Sequence, residues 1–162
     1  MGQKELLLTL GAIAMFSIAS LSINQLAGKN SEAVYGQQAT LFVTKVAQRF
    51  IEQAKLKAFD ETTVIGTPPV LPDDFSATLG PDSESYPNFD DMDDYHGLDR
   101  TSSTSMGDVR VTITVIYVQD SDLDTPALSP PTFYKKMTVT AQSAYLPQPV
   151  TAQYVFTFQK NE

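Results

Sequence analysis

The chain has 162 residues, enough for one modest domain besides an anchoring segment, and carries a formal net charge of −8. That acidic balance argues against the nucleic-acid backbone as a main partner. With no cysteine and one histidine, His96, the sequence has no disulfide staple, thiolate metal site or CxxCH haem attachment.

Met1 to Glu5 is followed at once by LLLTLGAIAMFSIASLSI, the uncharged run Leu6–Ile23. Eighteen helical residues rise about 27 Å, roughly the hydrocarbon thickness of a bilayer. The run is rich in small residues (Gly11, Ala12, Ala14, Ser17, Ala19 and Ser20). Such residues let helices approach closely in an apolar medium, so the segment is expected to leave lipid and pack against copies of itself. A cleaved signal peptide fits less well, because Glu5 offsets Lys4 and the run passes into Asn24-Gln25 and more helix. The myristoylation pattern fails at Leu6, where Ser or Thr is required. A simple uncleaved anchor is the plain alternative.

Asn24 to Ser31, with Gly28, is a soft patch in helix propensity. Residues 31–59 then read as an amphipathic helix, with Ala39, Phe42, Val43, Val46, Phe50 and Ala54 on one stripe. Ser31 or Asn30 could cap it if two helices are separate. If they are continuous, Leu6 to Ala58 makes one rod of about 80 Å. Residues 60–108 read as a loop region, punctuated by Pro68, Pro69, Pro72, Pro81 and Pro87 and holding an acidic cluster at 90–94.

Residues 109–160 read as an antiparallel sheet of about three strands. Val109, Val111, Ile113, Val115 and Tyr117 alternate with polar residues. Lys135, Met137, Val139 and Ala141 share a face of the second strand, and Ala152, Tyr154, Phe156 and Phe158 share one on the third. This sheet's apolar face is the only large partner for the helix stripe. The expected architecture is α+β, with a hydrophobic N-terminal helix at 1–30 and a head at 31–162.

A spanning helix, its amphipathic continuation, a loop region and a terminal antiparallel sheet together resemble type IV pilins and pseudopilins. The most specific point is Glu5, since mature chains of that family carry a glutamate as fifth residue just before the apolar run. Val46 to Lys55 is similar to the helix of minor pilins, and Tyr134 to Val139 to a strand of their sheets. The resemblance implies that Met1 is the N-terminus left by a prepilin peptidase. It departs from the family where Ser22 and Gly28 stand near the place of a frequent proline, and in lacking cysteine for a terminal disulfide. It implies a structural subunit held in the inner membrane, then extracted by pilus assembly machinery into an extracellular helical homopolymer. Met1 and Glu5 are the assembly residues so implied, and Gly11 and Ala14 join them through the small-residue packing of Leu6–Ile23. A carboxylate at the edge of an apolar zone needs a partner, and the α-amino group of a neighbouring Met1 would set axial register; Lys4 or the headgroup region could serve instead. The alternative function is a single-pass anchored domain that binds a partner outside the cytoplasm without polymerising.

Asp90, Asp91, Asp93 and Asp94 offer hard oxygen ligands suited to calcium, and no other cofactor is expected. Their order fails the EF-hand pattern, and a solvated acidic loop is the simpler account. Asp120, Asp122 and Asp124 read as a polar inter-strand loop. His96 has no second imidazole and no nucleophile motif, so no enzyme is expected.

Overall fold

A computed structural model describes residues 2–64 and 69–159. The chain divides into two compact units, one reaching Gln38 and the other starting at Ala39. Helix α1, Gln3–Ala54, contributes to both.

In the first unit, α1 runs unbroken through Gly11 and through Asn24–Ser31, so the two expected helices are one. Gly2 acts as N-cap: its amide donates to Glu5 Oε2 at 3.1 Å and its carbonyl accepts from the Glu5 amide at 3.0 Å. This is the glutamate half of a capping box. The helix is long and apolar enough to cross a membrane, and none of that apolar stretch is buried. Its hydroxyls turn back on the helix: Thr9 donates to the Leu6 carbonyl, Ser17 to Ile13, Ser22 to Ile18 and Ser31 to Ala27.

In the second unit, α1 buries Ala39, Val43, Ala47, Phe50, Ile51 and Ala54. Ala47 and Ile51 extend the stripe expected from the sequence, and Phe42 and Val46 flank it half-buried. The helix stops at Ala54, short of the expected end, because its backbone finds other partners. Leu56 and Lys57 donate to the Gln53 and Ala54 carbonyls in tightening turns. Ala58 then leaves the helix to bridge the acidic loop, donating to the Asp90 carbonyl at 3.1 Å and accepting from the Met92 amide at 2.9 Å. A single helical turn, α2 (Glu61–Val64), follows.

The sheet is antiparallel and has five strands rather than about three: β1 (Asp99–Thr104), β2 (Gly107–Gln119), β3 (Asp122–Pro126), β4 (Tyr134–Ser143) and β5 (Val150–Thr157). Its order is β1-β2-β4-β5, with β3 on the far end of β2. The two strands missed in the sequence are DRTSST and DLDTP, which carry no apolar alternation. β1 is an edge, held by backbone pairing from Asp99 opposite Thr112 to Thr104 opposite Gly107. β3 is exposed throughout and joins β2 across a register shift at Val118/Gln119. Gly107, at φ +98°, turns the β1–β2 hairpin, and a Cβ there would meet the Tyr145 ring at 2.9 Å.

β2 and β4 supply the middle of the core with Val109, Val111, Ile113, Val115, Met137, Val139 and Ala141. The α1 stripe lies in the same cluster, as do Phe89, Met92 and Tyr95 from the acidic loop. Full burial of side chains of this kind contributes about 1.5–3 kcal/mol each. The loop is therefore seated by its aromatic residues: the Phe89 and Tyr95 rings meet edge-on at 5.0 Å, and Tyr86 meets Phe89 at 5.8 Å.

Candidate functional site

Two places carry the chemistry expected from the sequence. On α1, Leu7, Leu8, Gly11, Ala12 and Met15 line a shallow apolar notch, because Gly11 has no side chain between its larger neighbours. Nothing lies within 4 Å of where its Cβ would stand. Ala14 is exposed but lies outside this notch. Glu5 is engaged locally, by the Gly2 amide. Met1 lies outside the described residues.

The acidic cluster differs more from expectation. A solvated loop is the wrong picture for three of its four aspartates, since Asp91, Asp93 and Asp94 are all buried. The turn Asp93–Tyr95 folds back on them: Asp91 Oδ1 accepts from the Asp93 and Asp94 amides at 2.8 and 3.1 Å, and Asp94 Oδ2 accepts from the Asp90 and Asp91 amides at 3.2 and 3.3 Å. Backbone amides thus replace water around two of the carboxylates.

The cation that balances this burial is Lys135 of β4, fully enclosed. Its Nζ donates to Asp93 Oδ1 at 2.5 Å, Asp60 Oδ2 at 2.8 Å and the Phe59 carbonyl at 2.8 Å, which uses all three ammonium protons. The Phe59 and Tyr117 ring centroids lie 4.7 and 5.1 Å away. Asp60, also fully buried, accepts in addition from the Thr62 amide and hydroxyl and the Ser76 amide, while the Tyr117 hydroxyl, 3.2 Å from Asp60 Oδ2, is shared with the Ser76 carbonyl at 2.7 Å. The segment just after α1, a loop turn and β4 meet at this one nitrogen.

These surroundings separate the carboxyls. Burial is the largest influence on Asp60 and would raise its pKa, yet Lys135 and the Thr62 donors together hold it below the usual carboxylate value. Asp93 goes the other way, because burial outweighs Lys135. Burial and the neighbouring Asp93 charge push Asp91 up to about 8. Burial and the Asp60 charge push the Tyr117 hydroxyl well above its ordinary value.

The four aspartates do not converge on one cation. Asp93 faces Lys135 and Asp91 faces backbone amides, whereas Glu84, Asp90 and Asp94 bring carboxylate oxygens within 4.8 Å of one another. Those three could contribute to a hard-cation site, but calcium takes six to eight oxygens. Asp122 instead shapes β3, accepting from the Asp124 amide and the Thr125 hydroxyl. His96 is a structural acceptor, its Nδ1 receiving the Val115 amide at 3.1 Å.

Asp60, Glu84 and the role of Lys135 escaped the sequence reading. One signal was present: Lys135 shares the apolar face of its strand with Met137, Val139 and Ala141, and a charge placed there requires a buried counter-ion. Asp60 carried no such signal, because it stands in a polar helix-end segment. In comparisons with protein-family models, curated proteins and solved structures, none matches this chain.

Proposed function

We propose that this chain is a structural subunit of a type IV pilus-like filament, held in the inner membrane and then polymerised through the apolar half of α1. The role is architectural, with no catalytic step. The observation that supports this reading is the division of labour along one helix. From Leu6 to Ile23 the side chains are exposed, and from Ala39 to Ala54 the same helix buries a stripe in the sheet unit. An apolar surface of that extent needs lipid or protein against it. The Gly11 notch supplies the close-approach feature that favours protein. The outside of the cell is where the finished filament would stand.

The absence of cysteine permits a clean test. Single cysteines placed at Ala14 and at Ser20 should give intermolecular disulfides in a host that makes pilus machinery, and the protein should enter the sheared extracellular fraction. A tethered binding module would remain in the membrane fraction and monomeric in mild detergent. That outcome would remove the filament reading.

A further inference from the structure

We propose that Lys135 and Asp93 join covalently, the lysine Nζ forming an intramolecular amide with the Asp93 side-chain carbonyl carbon. The inference rests on the second unit alone and holds whether or not the chain polymerises. Nζ stands 2.5 Å from Asp93 Oδ1, which puts it within about 3.7 Å of the carboxyl carbon, given a carbonyl bond of about 1.23 Å. That is close to the near-attack separation of about 3–3.5 Å at which an intramolecular reaction gains most from fixed geometry. Both side chains are withdrawn from water, and the rings of Phe59 and Tyr117 flank the nitrogen.

The two carboxylates on Lys135 are not equivalent. Asp60 is held by donors from Thr62 and Ser76 besides the lysine, an environment that fixes it as an anion. Among the described residues, Asp93 has no backbone donor to its carboxyl, which meets the lysine and the Asp91 carboxyl. Asp93 is therefore the electrophile and Asp60 the proton carrier. A proton first passes from Nζ to Asp93 along their hydrogen bond, leaving a neutral amine beside a neutral acid. The nitrogen lone pair then attacks the carbon, and the carbonyl electron pair moves onto oxygen. Asp60 takes a proton from the nitrogen and delivers it to the departing hydroxyl. The carbon–oxygen bond breaks, the carbonyl reforms, and one water leaves while Asp60 returns to its carboxylate form. Acid and amine become amide and water, with no oxidant or other reactant.

The amide replaces the Lys135 and Asp93 charges with a neutral group and leaves the Asp60 carboxylate to its donors from Thr62 and Ser76. It would tie the turn Asp93–Tyr95 to β4 in a chain that has no cysteine with which to do so.

The test is the intact mass of the full chain, purified in detergent and denatured before measurement. The expected result is a mass lower than that of the sequence by one water, with a single branched peptide linking Asp93 to Lys135 after proteolysis. Lys135→Arg and Asp93→Ala should show their full calculated masses. Asp60→Ala, which keeps both reacting groups, should show mostly unlinked chain. A folded wild-type chain at its full calculated mass overturns the proposal, and that measurement needs no variant to fold. A branch at Asp60 in place of Asp93 overturns the assignment of roles.

Discussion

Lys135 Nζ lies 2.8 Å from Asp60 Oδ2, and neither side chain reaches solvent. Asp60 follows the helix that buries its stripe in this unit, and Lys135 sits mid-sheet, so the pair ties helix end to strand from inside. A buried ion pair of this kind adds little over well-packed apolar residues, but removing one partner strands the other charge.

Measured against the unlinked Lys135→Arg chain, Lys135→Met should accordingly destabilise the second unit by about 3–5 kcal/mol, because Asp60 and Asp93 would be left without a cation. Tyr95 and Tyr117 are both buried there, so near-ultraviolet circular dichroism of tyrosine follows its unfolding. A loss under about 1 kcal/mol would mean that the aspartates find protons or donors elsewhere.

The pH dependence should be set by Asp91. Its folded pKa of about 8 lies above that of an unfolded carboxylate, so the folded chain holds a proton that the unfolded chain has released. Stability should therefore fall as pH rises from the usual carboxylate range through about 8. Asp93, also raised, acts in the same sense, and Asp60 in the opposite one, since its lowered pKa makes stability fall as pH drops through that value. Asp91→Asn keeps an acceptor for the Asp93 and Asp94 amides while removing the charge. Between pH 6 and pH 9 the variant should lose less melting temperature than the wild type does. Parallel profiles for the two proteins would assign the dependence to another group.

Glu5 has two separable duties under the filament reading: capping its own helix through the Gly2 amide, and offering a charge to a neighbour. Glu5→Gln retains a side-chain acceptor and loses the charge, and Glu5→Ala loses both. If charge sets register, both variants should stay in the membrane and fail to enter sheared filaments. Normal filaments from Glu5→Gln alone would reduce the residue to a helix cap.

Gly11→Leu tests the notch. No atom within the chain lies near the added Cβ, and leaving glycine favours helix by roughly 1 kcal/mol. The monomer and its membrane insertion should be unharmed, so a defect in assembly would be intermolecular. Filaments formed at the wild-type level would show that close approach at Gly11 is not used.

The parts of the fold that were legible in the sequence are those where one face meets the core. Val109 to Tyr117 and Met137 to Ala141 alternate because every second side chain is buried. β1 and β3 were hidden because backbone pairing alone defines them, and Ser102 opposite Val109 or Asp122 opposite Gln119 has no hydrophobic signature. The acidic loop was misjudged for a related reason. Charge runs are usually solvated, and only the distant Lys135, 42 residues from Asp93, makes burial tolerable here. Asp60 is 75 residues from the same lysine. Local sequence patterns do not report contacts at that range.

The serine and threonine hydroxyls of α1 have a consequence for how the helix changes surroundings. Thr9, Ser17, Ser22 and Ser31 each donate to a carbonyl within their own helix. A hydroxyl that depended on lipid headgroups, water or another protein would have to break that bond whenever the helix moved between them. These four carry their acceptors with them. These four hydroxyls keep their hydrogen bonds when the helix passes from one apolar medium to another.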